Sequence, residues 1–348
     1  MNKHELINSF EELGKIMLAI GHNTFDHSLA CSEQRFEQFN LLIKNEIFHN
    51  GWFTEELVRL SLRNLALWLN EKTLEEWLVN YPYSKKEETI AVIMAGNIPL
   101  VGFHDFICVL FAGYKIQVKL SSDDNRLFRF IYQALLDIDP RFENKIQLAD
   151  GKLSSFDAVI ATGGSASLLH FQSYFSKVPH IFRGNRSSVA ILNGKETNEE
   201  LCALGEDIFL YFGRGCRNVS HLLLPKGFLL NTFFEQIISY SDVINNKKYG
   251  NNYDYHKTIH LMNLEVFLDN NFVLLKESEA LHAPIGMIYY HYYEDSAEIT
   301  SYLENHQEEI QCIVGNDYQA FGSSQQPQID DYADNLNTMD WLYNLGYN

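Results

Sequence analysis

TIAVIMAGNIPLVGFHDFICVLFAGYKIQVKL, residues 89–120, opens with a short apolar run, breaks at Asn97 and Pro99, resumes at helical spacing over 100–112, stops at Gly113 and closes with a second strand-like run. Short apolar runs bounded by turn residues have the composition of buried strands. Two of them joined through a helix make a crossover whose natural sheet is parallel. The unit then repeats. Asp123 or Asp124 can cap a helix to about Asp137, residues 145–148 suit a short strand, and FDAVIATGG (156–164) runs into glycines ahead of the helical SASLLHFQSYF. Further strand-like segments near 179–183 and 188–192 extend the pattern, so residues 89–192 are expected to form one open, doubly wound sheet.

Upstream, residues 1 to about 80 predict a helical layer, including helices over 33–48 and 54–69 with Thr54 as a cap. Downstream, Thr197 and Glu200 form a capping-box pattern that opens a helix to about Phe212, which Gly213 closes. HLLLP then predicts a strand, 229–243 a helix, and the Asn/Tyr/Lys-rich 244–257 a flexible surface loop. A chain of 348 residues is long for a single core and predicts two domains. There are no internal repeats and no low-complexity tract.

With 27 Lys and Arg against 45 Asp and Glu, the net charge of −18 repels nucleic acid and anionic membrane surfaces. An anionic ligand must therefore be held by helix N-termini and a few local cations. The five cysteines, Cys31, Cys108, Cys202, Cys216 and Cys312, are odd in number and scattered, with neither a CxxC pair nor metal-ligand spacing. No disulfide framework or metal site is expected. The N-terminus lacks a leader pattern and no window reaches the roughly 18 apolar residues of a membrane span, so the expected compartment is the cytoplasm.

Four positions invite chemistry. Cys216 lies in GRGCRN (213–218), where glycines allow a tight turn and two arginines can lower the thiol pKa; the alternative is an inert buried cysteine in a turn. Asn97, just past a buried strand, can either stabilise an oxyanion at the ligand-binding edge of an α/β sheet or serve turn chemistry. The glycine pair of ATGGSAS (161–167) stands at a strand-to-helix junction suited to a pyrophosphate. Lys119 ends a strand, where its ammonium can reach ribose or phosphate, although a lysine there is more often simply solvated.

In order, AGNIPL, VKLSS, ATGGS, GRGC and the closing FGSSQQPQIDDYADNLNTMDWL resemble the aldehyde dehydrogenase superfamily, and within it the LuxC-type fatty acyl-CoA reductases. The resemblance implies an α/β fold with a doubly wound, Rossmann-like cofactor domain and a second α/β catalytic domain. It divides the chain into 1–183 (helical layer and dinucleotide-binding domain), 184–315 (cysteine domain) and 316–348 (a segment returning to the cofactor domain). It implies that Cys216 is the nucleophile and that its backbone N–H shares an oxyanion hole with Asn97. Lys119 would hold the adenine ribose, and Thr162, Gly163, Gly164 and Ser165 would face the cofactor. Where NAD-selective members carry a glutamate this chain has Ser122, which favours NADPH, with NADH also accommodated because Asp123 is adjacent. Where hydrolytic members carry their water-activating glutamate it has Phe182, which favours reduction of a thioester over hydrolysis. Glu279, in ESEALHAPIG, is the counterpart of the glutamate on the nicotinamide ribose, although the surrounding motif departs from the family form.

The implied activity is NAD(P)H-dependent reduction of a fatty acyl thioester, acyl-CoA or an acyl-carrier thioester, to the aldehyde through an S-acyl cysteine. Alternatives are an aldehyde dehydrogenase or acyl-phosphate reductase of the same superfamily, or a non-catalytic subunit that binds an acyl carrier or partner. A partner enzyme that transfers acyl groups and a homo-oligomeric state are also implied by the resemblance.

Overall fold

The computed structural model describes residues 1–345 and divides into two compact units. The first comprises Met1–Gly184 together with the chain from Gln328 onward; the second is Asn185–Pro327.

In the first unit, four helices, α1 (Lys3–His22), α2 (Glu33–His49), α3 (Glu55–Ala66) and α4 (Glu71–Trp77), precede the sheet. Each begins at a side-chain cap. Asn2 and Glu5 form a reciprocal capping box for α1, and Ser32, Thr54 and Asn70 accept first-turn amides of the next three. Helix α1 turns Phe10, Leu13, Met17 and Ile20 inward, all essentially inaccessible to water. Phe10 meets Phe142 edge-on at 6.0 Å, and the neighbouring Phe106 and Phe128 pack at 90°.

The sheet of this unit consists of β1 (Thr89–Ile93), β2 (Lys115–Lys119), β3 (Ile146–Leu148), β4 (Ala158–Thr162) and β5 (His180–Arg183), in the order β3-β2-β1-β4-β5. Every pairing is parallel. Helices α5 (Phe103–Phe111), α6 (Arg126–Ile138) and α7 (Ser165–Phe175) provide the crossovers. Strand order reverses between β1 and β4, and that switch point is where open α/β sheets open a ligand crevice. The doubly wound sheet ends at Arg183, so the expectation of one sheet through residue 192 is corrected: the strand at 187–191 belongs to the other unit. Two adjacent apolar strands look alike in sequence, and hydrogen-bond partners alone assign them to different sheets.

The second unit is built on a sheet of order β11-β6-β7-β10-β9-β8. Its elements are β6 (Ser187–Ile191), α8 (Asn198–Phe209), β7 (Val219–Pro225), α9 (Leu230–Gln236), α10 (Lys247–Met262), β8 (Leu268–Asp269), β9 (Leu274–Glu277), β10 (Met287–Tyr293), α11 (Ser296–Asn305) and β11 (Ile310–Val314). Only the short edge strand β8 runs antiparallel. The capping box at Thr197 and Glu200 starts α8 as expected. The expected loop over 244–257 is instead mostly α10, capped by Asn246. Tyr249 and Tyr253, one turn apart, are buried, and their hydroxyls donate to the Phe272 carbonyl and to Asp269. Tertiary burial of those two rings outweighs the weak helix propensity of an Asn/Tyr-rich stretch.

Residues 316–327 pack within the second unit, so the return to the first begins at 328 rather than 316. The reason is Asp207, whose fully buried carboxylate accepts the N–H groups of Gly322 (2.6 Å) and Ser324 (2.9 Å). Within the returning segment, α12 (Thr338–Asn344) packs on α5; residues 346–348 of the expected C-terminal segment lie outside the described residues. Among the described residues no helix is long and apolar enough to cross a membrane.

Candidate active site

Three of the segments singled out in the sequence leave the carboxyl edge of the first sheet from neighbouring strands. Strand β1 pairs with β2 on one side and β4 on the other, with Ile93 opposite both Lys119 and Ala161. The loop with Asn97, the strand end with Lys119 and the turn with Ser122, and the junction Thr162–Ser165 are therefore brought to one edge. Asn97 is half-buried, whereas Lys119 and Ser122 are exposed. No ion pair engages Lys119 among the described residues. At Gly163 an added Cβ would stand 2.8 Å from the Ser167 Cβ and 3.1 Å from the Phe171 ring, so the close approach of strand and helix requires glycine. Helix α7 starts at Gly164 with no side-chain cap, leaving its first-turn amides and dipole without a protein acceptor from a capping side chain. Phe182, on β5, stacks on His180 with centroids 4.1 Å apart and packs near Phe171.

Cys216 stands in the second unit, half-buried, in the connection between α8 and β7. Three successive residues before it, Tyr211, Phe212 and Gly213, have φ of +52°, +58° and +72°. Left-handed aromatic residues cost on the order of 1–3 kcal/mol each, and such strain is characteristic of sites whose geometry is enforced by their surroundings. The enforcing residue here is Asn218, only 3% exposed. Its Nδ2 donates to the carbonyls of Asp207, Ile208 and Leu210, while its Oδ1 accepts the Gly215 N–H at 2.7 Å. This amide ties off the end of α8 and closes the turn beneath Cys216. The Cys216 carbonyl accepts the Ser188 hydroxyl at 3.0 Å, and Cys312 Sγ lies 3.0 Å from the same hydroxyl oxygen. By contrast, Cys108 is fully buried and its thiol is pushed well up by burial, which suits an inert core residue.

Glu279 is exposed on the segment after β9. Its neighbours fasten that segment to the start of β7: Ser220 Oγ donates to the Leu281 carbonyl at 2.8 Å and His221 Nδ1 to the Ala280 carbonyl at 2.9 Å. Glu279 thus lies on the connection that runs from the carboxyl end of β9 to the amino end of β10, whereas Cys216 precedes β7. With Nδ1 protonated, His221 Nε2 accepts from His291 Nδ1 at 2.8 Å. Burial pushes the His221 pKa down to about 3, so the ring is neutral. Sequence reasoning missed Ser188, Asn218, His221 and Asp207. Asn218 closes the GRGCRN segment quoted above, a pattern that carries no signal of a buried clamp. Among the described residues no group of three or more potential ligands is arranged for a metal ion.

Residues 62–231 match the family model described as acyl-CoA reductase (LuxC). The chain is similar to the LuxC acyl-CoA reductases. The matched span contains every candidate residue except Glu279. The solved structures it resembles include aldehyde dehydrogenase 21 from Physcomitrella patens in complex with succinate, with a TM-score of 0.66 and 11% identity over 96% of this chain and 84% of that one. An acetylating aldehyde dehydrogenase from Geobacillus thermoglucosidasius gives 0.60 and 10% over 90% and 76%. A mutant of the indole-3-acetaldehyde dehydrogenase AldA of P. syringae, in complex with NAD+ and IAA, gives 0.60 and 10% over 91% and 73%. These likenesses establish an aldehyde-dehydrogenase-like fold for the LuxC-like chain. No curated protein matches it significantly.

Proposed function

We propose that this chain reduces an acyl thioester, acyl-CoA above all, to the corresponding aldehyde through a covalent intermediate on Cys216. The observation that carries the reading is the strained turn of Tyr211–Gly213 closed by Asn218, which holds a half-buried cysteine within the span similar to acyl-CoA reductases.

The Cys216 thiolate attacks the carbonyl carbon, and the negative charge gathering on the oxygen is received by the Cys216 N–H and, in the role that the family resemblance implies, by the Asn97 amide. Collapse of the tetrahedral species breaks the bond to the carrier thiol, which departs as thiolate and leaves an S-acyl enzyme. The edge with Lys119, Ser122, the Thr162–Gly163–Gly164 turn and Ser165 at the start of α7 fits a dinucleotide phosphate and ribose, and Glu279 would engage the nicotinamide ribose. A nicotinamide coenzyme held there, NADPH in preference to NADH because Ser122 carries no charge, would supply the hydride that takes the acyl group to the aldehyde level. The Cys216 thiolate is then the leaving group as the C–S bond breaks. Phe182 in place of a base disfavours hydrolysis of the S-acyl enzyme, which supports reduction over acid formation. The two units correspond in this reading to a coenzyme-binding and a cysteine-bearing domain.

The test is release of free thiol and oxidation of NADPH with a chain-length series of acyl-CoA esters. Cys216→Ala should abolish both while retaining NADPH binding. Asn97→Ala should lower kcat by about 10²–10³, the usual cost of one oxyanion donor. Turnover by Cys216→Ala at the normal rate would refute covalent catalysis, and aldehyde oxidation without thiol release would favour a dehydrogenase.

A further inference from the structure

The loop that carries Asn97 and the turn that carries Ser122 are fastened to each other at several points. Met94 N–H donates to the Lys119 carbonyl at 3.0 Å. Gly96 lies so close to the turn that an added Cβ would come within 2.6 Å of Ser121 Oγ and 3.1 Å of the Asp123 Cβ. Leu100, at a φ of +59°, presents its N–H to Asp124 Oδ2 at 2.6 Å. Left-handed leucine is strained, so this bond must offset a local backbone cost. Outside this pair, the Ser61 hydroxyl holds the Pro99 carbonyl at 2.7 Å, while Asn50 Nδ2 and His49 Nε2 donate to the carbonyls of Asp123 and Ser122, both at 3.2 Å. Asp124 is the side chain that ties one segment to the other, and it is only 5% exposed.

We propose that Asp124 is a positioning residue that locks the Asn97 loop to the Ser122 turn, so that the oxyanion donor and the coenzyme-selecting turn are placed as one. The proposal rests on the roles proposed above for Asn97 and Ser122. What Leu100 requires is an acceptor, not a charge. Among the described residues Asp124 Oδ1 is buried with no hydrogen-bond partner, and the nearby Glu46 is fully buried, with an ion pair to Arg126 at 3.3 Å. Burial pushes the Asp124 carboxyl well above its usual range against the opposing Leu100 bond, and the Glu46 charge adds to the rise. An amide in the same place keeps the acceptor and relieves that repulsion.

The experiment compares kcat and the Kd for NADPH in Asp124→Ala, Asp124→Asn, Asn97→Ala and the Asn97→Ala/Asp124→Ala double variant. Asp124→Ala should lower kcat at least about tenfold and weaken NADPH at least about threefold, with both restored to within about twofold by Asp124→Asn. Asn97→Ala should lower kcat without changing NADPH affinity, and the double variant should lose no more kcat than Asn97→Ala alone. Unchanged NADPH affinity in Asp124→Ala, failure of the Asn variant to restore it, or a double variant that loses the full product of the single effects would overturn the proposal. Should Asp124→Ala not fold, Gly96→Ala, which wedges a methyl group between the same segments, carries the same paired expectation and the same refutation. If the wild-type chain releases no thiol from any acyl-CoA, the acyl-thioester reading fails. Asp124 is then judged on NADPH affinity alone, where weakening by Ala with rescue by Asn upholds the lock and any other result removes it.

Discussion

His221 shows how a single side chain can be chemically silenced by its surroundings. It sits near the start of β7 with no exposed surface, donates from Nδ1 to Ala280 and accepts at Nε2 from His291. Its pKa is lowered from 6.5 to about 3, first by burial, and then by the neighbouring His291 and His306 against the opposing Ala280 bond. Between these values the unfolded chain binds a proton that the folded chain does not, so stability is complete above about pH 6.5 and is lost as pH falls toward 3. Denaturant unfolding from pH 7 to pH 4 should therefore show a steeper loss in the wild type than in His221→Asn, whose side chain does not titrate in this range. Equal slopes would mean that the ring is protonated in the fold. Nothing in HLLLP distinguishes this buried histidine from an exposed one, because its partners are a carbonyl 59 residues later and a ring 70 residues later.

At the level of elements, the turn between α8 and β7 is the clearest case of a local conformation imposed from outside. A glycine stop was legible at Gly213, but the left-handed conformation of Tyr211 and Phe212 before it was not, since bulky aromatic residues avoid that region when left to themselves. Asn218 supplies the compensation. Replacing it with Ala removes the donor from three carbonyls and the acceptor from Gly215, so Asn218→Ala should cost about 1–3 kcal/mol or more in stability. It should also slow alkylation of Cys216 by iodoacetamide, followed by peptide mapping. Normal stability together with normal reactivity would show that the turn holds itself. Helix α10 is the converse case: a stretch that looks like a loop becomes helix because Asn246 caps it and two tyrosines find buried partners.

Across the whole chain, the knot at Arg183 makes the returning segment part of the first unit. The guanidinium, 2% exposed, pairs with Asp105 at 2.9 Å and donates to the Ala333 carbonyl and the Thr338 hydroxyl, both at 2.7 Å. Tyr114 and His104 add bonds to the carbonyls of Leu342 and Ile329. Removing one partner of a buried ion pair strands the other, so Arg183→Ala should destabilise the chain by about 3–5 kcal/mol, read as a lowered denaturant midpoint. A shift below about 1 kcal/mol would mean that Asp105 is readily hydrated.

Local sequence was enough to set the alternation of strands and helices, the parallel βαβ character, the caps at Thr54 and Thr197 and the order of the motifs around Asn97, Lys119, Gly163 and Cys216. These are written in patterns spanning a few residues, where periodicity and turn chemistry act directly. The cap expected at Asp123 or Asp124 is not realised: α6 follows Asn125 without a side-chain cap, and Asp124 accepts the Leu100 N–H instead. It took the folded chain to settle which sheet receives the strand at 187–191, that 247–262 is helical, where the C-terminal segment crosses back, and that Asn218, Asp207 and Asp124 are clamps. Each of those outcomes depends on hydrogen bonds or burial supplied from beyond the local pattern, and a polar residue looks the same in a sequence whether water or a distant backbone amide satisfies it.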